Sequence, residues 1–115
     1  MDEVERRALK ALEKMKYIDD SLDDIAKLAA VAEEAAEVSQ AALKVLRAYG
    51  GVFNPTPVTE EEAAKKLDEE LKDLFIVLLV SGFDIIEMVK DATMEEHKLD
   101  RWVERIKEAK NAERS

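Results

Sequence analysis

The stretch that most constrains the fold is residues 28–43, LAAVAEEAAEVSQAAL, which is rich in alanine and contains neither glycine nor proline. That composition is typical of a helix interior. Its only charged residues are Glu33, Glu34 and Glu37, and no lysine or arginine lies within it. Because three carboxylates set among alanine and valine repel one another and are costly to desolvate, we expect something outside the segment to neutralise them.

The helix around this stretch is predicted to run from about residue 22 to residue 48 and to be apolar on almost every side. At about 100° per residue, its apolar residues fall on a broad stripe, a valine stripe and an alanine-lined far side, toward which the three glutamates project. The broad stripe comprises Leu22, Ile25, Leu28, Ala32, Ala36, Leu43 and Leu46, the valine stripe Val31, Val38 and Val45, and the far side Ala26, Ala30 and Ala41. A helix of this kind is usually buried by partner helices or a second subunit.

The composition of the whole chain favours a single helical domain. Of its 115 residues, 47% are hydrophobic and 39% charged, with only 3 glycines and 2 prolines. We therefore predict one all-α domain over residues 1–115, a four-to-five-helix antiparallel bundle that is oligomeric. Its parts would be an N-terminal packing helix over residues 1–20, a helical core over 21–110 and a Gly/Pro loop over 49–59.

Charge and hydropathy exclude several classes of partner. The formal net charge of −9 argues against a nucleic-acid polymer or an anionic membrane surface. The absence of cysteine excludes disulfides and thiolate metal sites. The longest apolar run, residues 74–80, is too short to span a bilayer, and the charged N-terminus lacks the apolar segment of a signal peptide. These features lead us to expect a soluble, cytoplasmic protein.

Turn and capping residues divide the chain into helices. The first helix is predicted over residues 2–17, followed by a turn or bend over residues 17–20. The third helix should end near residue 81, and the fourth should be interrupted near residues 92–93. The predicted N-caps are Ser21, Thr59, Asp84 and Thr93, each followed three residues later by an acidic residue.

A second acidic pair, Glu70 and Asp73, directly precedes the apolar run of the third helix. Its members are one helical turn apart, as are Glu34 and Glu37, so each pair points to one side of its helix. Four carboxylates from two antiparallel helices suit a hard cation such as Mg²⁺ or Mn²⁺. Glu33 could orient or deprotonate a water molecule beside it. A single ExxE pair is usually solvated surface, so the prediction rests on the two pairs together.

The acidic motif resembles that of a known family. Glu33-Glu34-x-x-Glu37 followed by Glu70-x-x-Asp73 is similar to the metal-binding signature of the all-α nucleoside triphosphate pyrophosphatases, the MazG-like superfamily. EEAAEVSQAAL resembles the family's EExxEL helix, EELKDLFIVLL its EExxDLL helix, and GFDIIEMV its GIDL-type helix start. HKLDRW falls where the family carries a basic, phosphate-contacting segment. The resemblance covers about residues 22–106, with a longer gap between the acidic pairs than in compact family members.

The resemblance implies hydrolysis of a (d)NTP between the α- and β-phosphates, giving a nucleoside monophosphate and pyrophosphate. Mg²⁺, or Mn²⁺ in its place, would polarise the phosphoryl oxygens and activate the attacking water. The implied metal ligands are Glu34, Glu37, Glu70 and Asp73, and the implied phosphate contacts are Lys98, Arg101 and Arg105. Base recognition needs an aromatic or apolar wall with a few polar groups. Candidates for that role are Tyr49, Phe53, Asn54 and Trp102.

Several alternatives stay open from the sequence. Lys98, Arg101 and Arg105 could instead form helical ion pairs with acids such as Glu104, and Trp102 could be a packing residue. The related phosphoribosyl-ATP pyrophosphatase shares the acidic signature, and a non-enzymatic helical interaction module would use the acids as a solvated or subunit-bridging face. The several apolar faces predict a homodimer or a dimer of dimers, with the site shared between subunits or near their boundary.

Overall fold

The protein is all-helical in the part of the chain that the computed structural model describes, residues 1–50 and 58–114. These residues contain no strand, which confirms the all-α prediction. The elements are α1 (Glu3–Ser21), α2 (Asp24–Ala48), α3 (Glu60–Val80), α4 (Ile85–Lys90), a π-helical segment (Asp91–Glu95) and α5 (Lys98–Arg114). The chain divides into two compact units, Met1–Phe83 and Asp84–Ser115. None of the described helices combines the length and apolarity needed to cross a membrane.

The first unit is built on a hairpin of α2 and α3. Glu34 lies beside Glu70, while Ala30 lines the same small cavity as Val77, so residue numbers rise along one helix as they fall along the other. The less exposed residues recur every three or four positions, which is the spacing of helices packed as a coiled coil. This seam comprises Lys27, Val31, Glu34, Val38, Ala41, Val45 and Ala48 of α2, and Ala63, Leu67, Glu70, Leu74 and Val77 of α3, followed by its C-terminal cap Ser81.

The valine stripe and the alanine-lined side of α2 face α3 in the seam. The broad stripe lies on the opposite side of α2. Within that stripe Ile25 is 80% exposed and Leu28 60% exposed, whereas Ala41 in the seam is only 4% exposed. Small side chains let two helix axes approach closely, which favours the valine and alanine sides for the intrachain contact. The leucines of the broad stripe stay exposed within one chain.

The C-terminal end of α1 packs against the hairpin. Ile18 and Leu22 line a cavity of about 110 Å³ together with Val77 and Val80 of α3. Lys27 at the start of α2 forms an ion pair with Asp19 of α1, and the hydrogen bond that its ammonium donates to that carboxylate raises the pKa of Lys27. This contact fixes the corner between the first two helices.

Two predicted helix starts are confirmed, and both are set by local hydrogen bonds. Thr59 Oγ1 accepts from the Glu62 backbone N–H at 3.1 Å, and Asp84 Oδ1 accepts from the Glu87 N–H at 3.0 Å. Each side chain thereby satisfies an N–H group that the first turn of a helix leaves unpaired.

Two other predicted caps are wrong. α1 runs through residues 17–20 without a turn, and Ser21 is its last residue, with its hydroxyl donating to the Tyr17 carbonyl at 2.6 Å. Asp23 caps α2 instead, accepting from the Ala26 N–H at 2.8 Å. Thr93 lies inside the π-helical segment and donates to the Val89 carbonyl at 2.8 Å, so the predicted interruption exists but Thr93 does not begin a helix.

Because α2 and α3 approach closely, we predict that a larger side chain lowers the free energy of unfolding in the seam but not on the exposed side of α2. Ala41→Leu should lower the free energy of unfolding by about 1–3 kcal/mol, because a seam position has no room for three extra carbon atoms. Ala29→Leu on the exposed side of the same helix should change it by less than about 0.5 kcal/mol. Urea unfolding followed by circular dichroism measures both. Equal effects at the two positions would contradict the seam.

Candidate metal centre

Three carboxylates from the two helices of the hairpin converge at the middle of the seam. Glu34 comes from α2, and Glu70 and Asp73 come from α3, one turn apart. One ligand oxygen from each lies within 4.8 Å of the other two. Because Glu34 and Glu70 occupy seam positions, packing of the hairpin brings their side chains together. The arrangement offers oxygen ligands at a spacing that a single divalent cation can bridge.

Two of these carboxylates have oxygens that lack the partners a buried group requires. Glu70 is only 6% exposed and Glu34 is half-buried. Glu34 Oε2 and Glu70 Oε2 are both buried without a hydrogen-bond partner among the described residues. An unsatisfied buried polar atom costs about 1–3 kcal/mol, and more when it is charged. A cation bound between the two helices would satisfy both oxygens, so the residues present fit a divalent metal.

Glu37 completes the acidic group. A hydrogen bond shared with Glu70, followed by repulsion from the charge of Glu34, raises the pKa of Glu37 above its ordinary value. Ionisation of Glu37 is therefore disfavoured by the carboxylates around it. A divalent cation bound to the group would act in the opposite direction, since carboxylate ligands bind in their ionised form.

Sequence reasoning did not identify Lys66, which contacts the carboxylate group. Its Nζ lies 2.9 Å from Glu70 Oε1, and this contact lowers the pKa of the Glu70 carboxyl. The acidic stretch of α2 contains no lysine or arginine, whereas Lys66 lies on α3 four residues before Glu70, a spacing typical of helical ion pairs. The charge of Lys44 on α2 also lowers the pKa of Glu70, but two ammonium groups do not balance the neighbouring acids. The exposed side chain of Lys66 is long enough to swing away when a metal ion enters.

The other predicted residues of the first unit lie outside this group. Glu33 is exposed and is not among the three converging carboxylates. Tyr49 is the C-terminal cap of α2 and is exposed. The predicted base contacts Phe53 and Asn54 lie outside the described residues.

In the second unit, α5 gathers the basic residues on one face. Lys98, Arg101, Trp102 and Arg105 line an open groove of about 530 Å³. Trp102 is 66% exposed and its ring lines this groove, where it is available to a ligand. Glu104 pairs with Lys107 at 3.9 Å, and Lys98 pairs with Glu96 at 3.2 Å. In the described part of the chain, neither arginine guanidinium has an acidic partner within ion-pair distance.

Comparison with known proteins gives no match to a protein family, a curated protein or a solved structure. Two features of the chain itself bear on its function, the carboxylate group of the hairpin and the basic, aromatic face of α5.

The carboxylate group predicts a stabilising response to divalent cations. A concentration of Mn²⁺ or Mg²⁺ at 100 times its dissociation constant should stabilise the folded state by about 2.7 kcal/mol and raise the melting temperature accordingly. Glu34→Gln and Asp73→Asn should abolish the response, whereas Glu61→Gln, exposed in the first turn of α3, should retain it. Differential scanning calorimetry measures all four proteins. A response that survives both site substitutions would contradict the site.

The contact between Lys66 and Glu70 predicts that the Lys66 ammonium and a metal ion compete for the Glu70 carboxylate. Lys66→Met should strengthen Mn²⁺ binding by roughly threefold to tenfold, because the carboxylate no longer has an internal cation to lose. Lys65→Met, which removes the same charge from the neighbouring exposed position, should change the affinity much less. Isothermal titration calorimetry distinguishes the two variants. Weaker binding in Lys66→Met would show that the ammonium supports the site instead of competing for it.

Proposed function

We propose that the protein is a Mg²⁺-dependent nucleotide pyrophosphohydrolase, which cleaves a (d)NTP between its α- and β-phosphates to give a (d)NMP and pyrophosphate. The observation that carries the proposal is the convergence of Glu34, Glu70 and Asp73, with two buried carboxylate oxygens that have no partner among the described residues. The resemblance of the EExxE and ExxD motifs to those of the MazG-like pyrophosphatases supplies the reaction class.

The carboxylate group suits metal-assisted phosphate chemistry. Glu34, Glu37, Glu70 and Asp73 would hold Mg²⁺, with Mn²⁺ as a possible substitute. Mg²⁺ seldom occupies an all-protein cage and usually completes its coordination with water and substrate phosphate oxygens. When bound, the ion would polarise the phosphoryl oxygens and lower the pKa of a coordinated water.

Acidic residues at the edge of the carboxylate group would accept the proton of that water. Glu33 is exposed next to Glu34 in the chain, which allows it to reach solvent and accept a hydrogen bond from a water molecule. Glu37 would join the ligands once it is ionised. General bases of this kind contribute by holding the nucleophile and removing its proton in the transition state.

The resemblance assigns the phosphate contacts of the substrate to the basic residues of α5. Lys98, Arg101 and Arg105 would pair with phosphate oxygens, for which the planar guanidinium is well suited. The exposed ring of Trp102, or that of Tyr49, would stack on the base. Two guanidinium groups without acidic partners in the described part of the chain, together with an exposed indole, favour an anionic aromatic ligand on this face.

The proposal predicts release of pyrophosphate from at least one NTP or dNTP in the presence of Mg²⁺. Asp73→Asn and Glu70→Gln should lower kcat by roughly 100-fold or more, since each removes charge from the metal ligands. Glu61→Gln is the matched control on the same helix and should keep full activity. A coupled pyrophosphate assay over the common (d)NTPs and phosphoribosyl-ATP measures the turnover.

Each result of that assay selects one function. Turnover of phosphoribosyl-ATP alone would assign the related phosphoribosyl-ATP pyrophosphatase activity. Orthophosphate as the sole phosphate product would mean that a different bond is cleaved. Absence of turnover, in a protein that binds Mg²⁺, would favour the non-enzymatic helical interaction module.

A further inference from the structure

We infer that a notch between α1 and the α2–α3 hairpin binds an aliphatic side chain from a basic segment of a partner protein. The inference concerns an interaction surface and does not depend on the proposed reaction. The surface, named the α1 notch, is the cavity of about 110 Å³ that the three helices form together. Its apolar walls come from Ile18 and the cap residue Leu22 of α1, Ala30 of α2, and Ile76, Val77 and Val80 of α3.

Small and diverted side chains of α2 leave the α1 notch open. The Lys27 ammonium is drawn to Asp19 of α1, so only the remainder of its side chain contributes to the wall. Ala30, the other α2 residue of the wall, ends at a methyl group. On the α3 side Val80 is only 7% exposed, whereas Ile76 is 53% exposed. The notch therefore has a buried floor and a mouth that a partner can reach.

The size of the α1 notch selects a single aliphatic side chain. An apolar cavity of about 150 Å³ in a protein stays free of water and binds benzene. The α1 notch is smaller and is lined mainly by aliphatic residues. It suits a leucine or isoleucine side chain, whose insertion would remove apolar surface of both molecules from water.

An acidic corner borders the α1 notch. Residues 17–27, YIDDSLDDIAK, contain four aspartates and one lysine. After the hydrogen bond to Asp19, the charges of Asp24 and Asp20 also raise the pKa of Lys27, so all three carboxylates lie near its ammonium. Because Lys27 itself lines the notch, the acidic corner lies at its rim.

The acidic corner has carboxylates left for a partner. Asp20 forms an exposed ion pair with Lys16 at 3.3 Å. Among the described residues, Asp23 and Asp24 have no lysine or arginine within ion-pair distance. The α3 side of the notch, residues 76–81, carries no charge that could balance them. An apolar notch beside these carboxylates is complementary to an aliphatic residue flanked by lysine or arginine.

This complementarity identifies the class of partner. A nucleic acid or an anionic lipid surface would be repelled by the acidic corner. Amphipathic protein segments commonly bind with apolar residues in a groove and their charged residues outside it. The occupant of the α1 notch is therefore a basic amphipathic segment of another protein.

Fluorescence anisotropy with a labelled lysine–leucine amphipathic peptide of about 14 residues tests the inference. A lysine–alanine peptide of the same length and charge controls for general attraction to an acidic protein. The unaltered protein should bind the leucine peptide at least about tenfold more tightly than the alanine peptide, since only leucine fills the notch. Equal affinities for the two peptides would overturn the inference.

Filling the α1 notch should remove this preference. Ala30→Leu adds three carbon atoms inside the notch and should reduce the ratio of the two affinities to less than about twofold. Ala29→Leu adds the same atoms on the exposed side of α2 and should keep the ratio. If Ala30→Leu unfolds by circular dichroism, Ile76→Ser at the mouth replaces it, with Leu79→Ser, outside the notch, as its control. Equal ratios within a pair would contradict the notch.

Removing charge from the acidic corner should weaken both peptides. D20N/D24N should lower each affinity by roughly threefold or more, since both carboxylates lie near the notch. E60Q/E61Q removes the same charge at the start of α3 and should have a smaller effect. Equal losses in the two variants would mean that only net charge attracts the peptide. Peptide binding that lowers the mass of the protein in light scattering would show a second copy in the notch, and would also overturn the inference.

Discussion

Repulsion between carboxylates in the seam of α2 and α3 is the constraint on which the rest of the structure depends. The helices bury Ala41 and Ala63 against each other's surfaces, and the same packing forces Glu34 and Glu70 together. A charged residue in such a seam lowers the free energy of unfolding unless an opposite charge balances it. Here the ammonium of Lys66 balances that charge only in part, and the neighbouring carboxylates raise the pKa of Glu37. A cation bound to Glu34, Glu70 and Asp73 would relieve this repulsion.

Features governed by neighbouring residues could be predicted from the sequence. Thr59 and Asp84 were predicted correctly because an N-cap depends only on side chains within one turn. The end of α1 could not be placed in the same way, since Ser21 and Asp23 compete for the role of cap. The choice between the two apolar sides of α2 also depends on the partner helix, because both sides follow the same helical spacing. Lys66 was not predicted because its contact with Glu70 lies on α3, outside the acidic stretch over residues 28–43.

The most direct measurement of the central claim is anomalous diffraction from crystals soaked in Mn²⁺. The account predicts one or two peaks between α2 and α3, with oxygens of Glu34, Glu70 and Asp73 about 2.0–2.3 Å from the ion and the Lys66 ammonium moved away from Glu70. Peaks confined to exposed acids elsewhere, with Glu34 and Glu70 unchanged, would contradict it.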